Sequence, residues 1–217
     1  MRGDATPRLV LASSSPRRRE LLALIGVTPD AVVVPDVDET PRPGETPEAM
    51  VLRLAEDKAR AGLGLVIDGT VSDRRDVVVI AADTVVAPDG EILGKPVDRN
   101  DADRMLRLLS GRSHPVFSGI AVAFGTVDQR RGLIPEVSST VVRTDVEFRP
   151  VCGDDFAWYL GTGVWEGRAG AYAIQGAAGF LVAEIRGSYH NVVGFPLVDI
   201  DKILTALGHP LRSWAHD

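Results

Sequence analysis

The sequence predicts a mixed α/β fold, and three observations carry that prediction. Short apolar runs alternate along the chain with stretches of helical period. One run, Val77–Ala82, is continuously apolar, as a central strand covered on both faces must be. The balance of 45% hydrophobic to 25% charged residues over 217 positions is that of a globular chain with a sizeable core.

The elements follow in order. Leu9–Ala12 is a short buried strand, and Ser15 with Pro16 opens a helix, serine at the N-cap and proline at the first helical position. Ala31–Pro35 is a second strand. Asp36–Pro47 is a polar, proline-rich loop. Thr46-Pro47-Glu48 then starts a helix over Pro47–Ala61, with Met50, Val51, Leu54, Ala55 and Ala59 on one face. After the Val77–Ala82 strand, Pro88-Asp89-Gly90 is a turn. Asp98–Leu109 is a helix whose apolar face holds Ala102, Met105, Leu106 and Leu109. Val116–Phe124 and Ser138–Phe148 alternate as strands joined by a charged loop around Asp128–Gly132. Asp154–Leu160 is a short helix, Phe180–Ile185 a strand, and Leu197–Leu207 a final amphipathic helix behind Phe195-Pro196. Asp68–Asp76 reads as a polar insertion. No internal repeat or low-complexity linker divides the chain, which points to a single domain over residues 1–217.

Composition excludes several classes. A net charge of -6 disfavours nucleic-acid binding, which needs a basic face. No apolar run approaches the ~18 residues of a membrane span, and the N-terminal stretch MRGDATPRLV lacks a signal-peptide core. Cys152 is the sole cysteine, so neither an internal disulfide nor a thiolate zinc cluster is expected. The expected location is the cytoplasm. The number of chains in the assembly is open, a homodimer included.

The chemistry concentrates in five places. In Ser13–Arg19 (SSSPRRR), three arginines occupy the first turn of a helix, where cations are unfavourable by about 0.3–1 kcal/mol each. That conflict resolves if Ser13, Arg17 and Arg18 receive a multiply charged anion. Asp36-Val37-Asp38-Glu39 offers carboxylates to a hard divalent cation such as Mg²⁺ or Mn²⁺. Asp83, followed by Thr84, stands at the carboxyl end of the central strand, the edge where α/β sheets bind ligands, and can hold a metal or accept a proton from water. Lys95 is held in a Gly94-Lys95-Pro96 frame that suits phosphate. Lys58, alone, reads as a cation placed to complement the end of its helix. Gly161–Gly179 carries six glycines, and its Gln175 amide both donates and accepts, as the edge of a nucleobase requires. His114, in a Ser-Gly-Arg-Ser-His turn, reads as a structural hydrogen-bonding residue.

In order along the chain, SSSPRR (13–18), VDE (37–39), EDKA (56–59), ADT (82–84), GKP (94–96), LSGRSH (109–114), GAYAIQG (170–176) and GSYHNVVGFP (187–196) resemble the Maf family of nucleoside triphosphate pyrophosphatases. The resemblance runs from Leu9 to about Leu207. It implies an ITPase-like fold, an elongated mixed sheet flanked by helices with two lobes and a central cleft. It further implies a divalent metal and cleavage between the α- and β-phosphates of a nucleoside triphosphate. The family's proton acceptor matches Asp83, and its specificity positions match Arg18, Thr84 and Gln175, a combination that implies dTTP and UTP, with house-cleaning of non-standard pyrimidine nucleotides. The chain departs from the pattern at Ser118, Arg168 and Phe195, where threonine, lysine and leucine are usual.

On this reading, Arg17, Arg18, Lys58 and Lys95 neutralise the triphosphate, while Glu39 and Asp83 hold the metal. Asp83 is the expected base and Glu39 mainly a metal ligand, with the reverse assignment open. The rival reading is a non-catalytic nucleotide-binding regulator of septum formation, which would need the cations but not a water-activating carboxylate.

Overall fold

A computed structural model describes residues 6–66, 76–128 and 132–215. Residues 68–75 of the expected insertion, 129–131 of the charged loop and the first five residues lie outside the described residues.

Six strands form one mixed sheet in the order β2-β1-β3-β4-β5-β6. β1 (Arg8–Ala12) lies between β2 (Ala31–Val33) and β3 (Val77–Val86), parallel to both. β3, β4 (Ser113–Asp128), β5 (Gly132–Phe148) and β6 (Val182–Arg186) then run antiparallel to one another. The alternation of helix and strand is as the sequence predicts, but three strands are longer than expected. β3 does not stop at Ala82. It continues through Asp83 and Thr84 to Val86 because β4 pairs with every one of those residues, from Val77–Gly125 to Val86–Val116. A polar pair in mid-strand costs little where the ladder stays complete on one side. β4 and β5 extend far beyond their apolar cores as one hairpin, registered from Ser113–Glu147 to Asp128–Gly132. β2 is shorter than expected and ends before Pro35, which has no N–H for the ladder. The start of β6 shifts to Val182, since Ala177–Leu181 coils as a 3-10 turn.

The central strand sorts its side chains by parity. Val77, Val79 and Ala81 face α2 (Pro47–Leu65), packing with Ala55, Ala59 and Leu63. Val78, Ile80 and Ala82 join the larger core on the other face. There they meet α1 (Pro16–Ala23), α3 (Arg99–Leu109) and α6 (Leu197–Ala206) through Leu22, Leu106 and Ile200. Two further helices complete the set, α4 (Gly153–Gly161) and the short α5 (Tyr189–Val193) in the turn before α6. Among the described residues no helix is long and apolar enough to cross a membrane.

One close approach decides where α2 sits. Gly119 pairs with Asp83 across the β3–β4 ladder. A Cβ on Gly119 would lie 2.0 Å from the carbonyl oxygen of Val51, so the helix backbone rests directly on the sheet at that point. The contact brings the following turns of α2 alongside Asp83.

Candidate active site

The site is a notch in the sheet. β1 ends at Ala12, opposite Ala81, whereas β3 runs on. Pairing on that side of β3 resumes only at a bridge between Val86 and Leu93. The gap opens into a cleft of about 630 Å³. Ser13, Arg17, Arg18, Glu39, Lys58, Asp83, Thr84 and Lys95 all line it, although they come from five separate segments of the chain.

The first wall is built by the Ser13–Arg18 turn. Ser15 is the N-cap residue of α1 and Pro16 follows at the first helical position, but the Ser15 side chain makes no capping bond. Ser13 organises the turn instead. Its Oγ accepts from the backbone N–H of Ser15 at 3.1 Å and from Arg18 Nη1 at 3.0 Å. Arg18 Nε donates to the Gly194 carbonyl at 3.0 Å. The arginine is thus clamped from both ends. Burial lowers the Arg18 pKa, opposed by the charges of Asp83 and Glu39. Arg17 is compensated less, by the charge of Glu20 alone. Burial first, then the charges of Arg168 and Arg18, bring its pKa down to about 10. Arg19 is exposed and lies outside the cleft lining.

The floor is acidic and carries its own counter-ion. Lys58 Nζ lies 2.6 Å from Glu39 Oε1 and 2.7 Å from Asp83 Oδ1. This corrects the reading of Lys58 as a cap for its helix: α2 continues to Leu65, and Lys58 turns inward to bridge two carboxylates. Burial pushes the Glu39 carboxyl up, but the hydrogen bond and charge of Lys58, with Lys95 and Arg18 beyond, hold it below its ordinary range. Of the acidic run, Asp36 and Glu39 line the cleft. Asp38 does not; its Oδ1 accepts from the Thr40 N–H at 2.9 Å in a local turn. Among the described residues no group of three or more His, Cys, Asp or Glu side chains gathers as a metal cluster. The oxygen donors that converge are the two carboxylates of Glu39 and Asp83, a set that suits a hard cation sharing its coordination with phosphates and water.

Asp83 and Thr84 are neighbours on β3 that point to opposite faces. Asp83 meets Lys58 on the α2 side. Thr84 Oγ1 is 2.8 Å from Ser118 Oγ, which in turn donates to the Asn191 carbonyl at 3.3 Å. Asn191 is buried, and its Nδ2 donates to the carbonyls of Val116 and Val142 and to Thr144 Oγ1. The Ser188–Gly194 turn therefore anchors both Thr84 and Arg18.

The glycine-rich segment forms the remaining side. Gly167, Ala169 and Tyr172 line the cleft. Tyr159 Oη donates to the Ala171 carbonyl and Trp165 Nε1 to the Leu160 carbonyl, which fold the segment against α4. Gly170 has φ +64°, and a Cβ there would lie 2.9 Å from Val86 Cγ2, so the turn needs glycine for both conformation and space. Gln175 is exposed and is not among the lining residues. His114 is fully buried behind the cleft, with Nε2 3.1 Å from Tyr172 Oη, as a structural residue would be.

Two contributors escaped the sequence reading. Arg53 holds Glu45 through Nε at 2.6 Å and Nη2 at 2.8 Å, and reaches the carbonyls of Asp38 and Thr40, the two residues flanking Glu39. It fastens the loop that delivers Glu39. Asn191 fastens the turn behind Thr84. Neither contact has a local signature: Glu45 lies 8 residues from Arg53, and the Val116 carbonyl 75 residues from Asn191.

Residues 8–207 match the family described as Maf-like protein. A dTTP/UTP pyrophosphatase of Anaeromyxobacter dehalogenans (strain 2CP-C) is 46% identical over 205 residues, covering 94% of this chain and 96% of that protein. Another, of Maricaulis maris (strain MCS10), is 44% identical over 207 residues, covering 95% and 91%. Among solved structures, a HAM1 protein from Coxiella burnetii overlays with a TM-score of 0.42 at 15% identity, covering 93% of this chain and all of that one.

Proposed function

The chain belongs to the Maf family, and from that premise we propose that it hydrolyses nucleoside triphosphates, dTTP and UTP foremost, to the nucleoside monophosphate and pyrophosphate. The observation that carries the reading is one cleft in which a carboxylate pair, Glu39 and Asp83, faces the Arg17–Arg18 wall with Lys95 on a third side. A triphosphate needs several cations, and attack by water needs a base beside them.

In the reaction, water forms a bond to the α-phosphorus and the bond to the β-bridging oxygen breaks. Asp83 accepts the water proton. Its side chain is fixed by Lys58, which also tethers Glu39. Glu39 and Asp83 would hold a divalent cation, Mg²⁺ or Mn²⁺, which supplies positive charge against the phosphates. Arg18 is pre-oriented by Ser13 and Gly194 and meets the substrate without reorganising. A nucleotide-binding regulator would need the arginines, but not a carboxylate braced at the same cleft.

Chromatography of the reaction with UTP, with and without chelator, tests the reading. Equal amounts of UMP and pyrophosphate are expected, and no turnover in EDTA. Formation of UDP and orthophosphate would refute the bond assignment, and full activity in EDTA would refute the metal.

A further inference from the structure

Thr84 and Ser118 face each other across the β3–β4 ladder, on the side of the sheet away from Lys58. What Thr84 can offer a ligand depends on where its hydroxyl proton points, and the network behind it decides that. Ser118 is fully buried. Its Oγ lies 2.8 Å from Thr84 Oγ1 and 3.3 Å from the Asn191 carbonyl oxygen. A carbonyl oxygen only accepts, so the Ser118 proton is committed to Asn191. The short contact to Thr84 is then a hydrogen bond only if Thr84 donates it. Both protons run away from the cleft, and the lone pairs of Thr84 Oγ1 are left for a ligand. Among the described residues that oxygen has no other hydrogen-bond partner. The far end of the relay is fixed. Gly194 N–H also donates to the Asn191 carbonyl, at 2.9 Å, and the Asn191 side chain is held by Val116, Val142 and Thr144.

The surroundings select the group that meets this acceptor. Val86, Val116, Tyr172 and Val193 line the cleft and belong to the apolar core that Thr84's face of β3 joins, whereas the Asp83 face carries Lys58 and Glu39. An uncharged flat ring suits the first surface and phosphates the second. We infer that Ser118 is a positioning residue that sets base choice: it fixes the Thr84 hydroxyl as an acceptor, which pairs with the N3–H of uracil or thymine. Cytosine is rejected because its N3 is itself an acceptor, and two acceptors face each other unpaired. The inference rests on the reading of the cleft as a nucleotide site. Ser118 acts through Thr84, without touching the substrate.

Rates of monophosphate release from UTP and CTP, read as kcat/KM, test this on wild type, Ser118→Ala, Ser118→Thr and Thr84→Val. Wild type should favour UTP. Alanine removes the acceptor of the Thr84 proton, so the hydroxyl is free to turn and donate to cytosine N3. One hydrogen bond restored predicts a UTP-to-CTP ratio lower by about tenfold, through a rise for CTP rather than a fall for UTP. Ser118→Thr keeps the hydroxyl and should hold the ratio within about twofold. Thr84→Val should lower the ratio from the other side, by loss of UTP. A serine needed only for packing would slow both substrates alike. Should Ser118→Ala not fold, Ser118→Cys, whose thiol accepts weakly, carries the test. An unchanged ratio in the Ser118 variant, or no wild-type preference for UTP, overturns the inference, as does Ser118→Thr behaving like Ser118→Ala. The outcome is separate from the proposed reaction. If UTP is not cleaved, calorimetric titration of UMP and CMP into the same proteins reads the Thr84 acceptor without turnover. If UMP and pyrophosphate form and the ratio does not move, the reaction stands and the relay falls.

Discussion

The floor and the wall of the cleft solve opposite problems. On the floor, Glu39 and Asp83 are neutralised in advance by Lys58, which lies within 2.7 Å of both. On the wall, Arg17 lines the cleft with its Nε buried and without a hydrogen-bond partner among the described residues. The acidic half is neutralised from within the protein, whereas the Arg17 Nε of the basic half has no such partner among the described residues. Burying a charged group costs free energy unless it is paired, so the two halves of the cleft meet that cost differently.

The comparison breaks most visibly at Asp83. Asp83→Asn keeps size and removes the proposed proton acceptor. Turnover of UTP should fall by far more than tenfold, which is about 1.4 kcal/mol, while nucleotide affinity changes little because the wall is untouched. A variant retaining a tenth of wild-type kcat would move the base to Glu39. His114 comes next. Burial, more than its backbone hydrogen bond and Asp145 can offset, lowers its pKa from 6.5 to about 4. A depressed histidine contributes stability that is complete above its unfolded pKa and is lost as pH falls toward the folded one. The window is therefore pH 6.5 down to 4, and the loss is about 3 kcal/mol from this residue. Thermal melts against pH should show that slope in wild type and lack it in His114→Gln. An identical slope in both would mean the ring is not neutral behind Tyr172.

Lys58→Met sharpens the contrast by leaving two carboxylates bare in the floor. Lys58 and Asp83 have side chains only 12% and 13% exposed, so the ligand-free protein should lose about 2–3 kcal/mol in chelator. Mg²⁺ should then raise the melting temperature of the variant more than that of wild type. No difference between the two would argue against Glu39 and Asp83 as cation ligands. The smallest effect belongs to Gln175. It is exposed, so Gln175→Glu should change the UTP-to-CTP ratio of kcat/KM by no more than about tenfold, the range of an ordinary solvent-facing hydrogen bond. A hundredfold change would mean the glycine-rich segment folds over the bound base.

Much of this was legible from local chemistry. Arginines in the first turn of a helix, against the helix dipole, announce an anion whatever the tertiary structure. Asp83 behind a run of apolar residues announces a site at a sheet edge, although β3 itself continues because its β4 partner does. The relations between segments were not legible. Lys58 reads as a cap because nothing nearby reveals Asp83, 25 residues on, or the loop carrying Glu39. Arg53 pairs with Glu45 and reaches the Glu39 loop through carbonyl oxygens, which every residue carries and no motif can mark. Ser15 satisfies the positional rule for a cap but makes no capping bond, while Ser13, two residues before it, accepts from the Ser15 N–H, a difference that only the backbone path decides.

Asp83 and Thr84 are consecutive, yet the pleat of β3 sends one toward α2 and the other toward the Ser188–Gly194 turn. Their hydrogen-bond partners differ: Lys58 braces the first, Ser118 the second with the Asn191 carbonyl behind it. Mutational drift can therefore rework one without passing through the other. Substitutions at Ser118 or in the turn alter the environment of Thr84 and leave the carboxylate proposed as proton acceptor in place, so the two sides of this strand are free to vary separately.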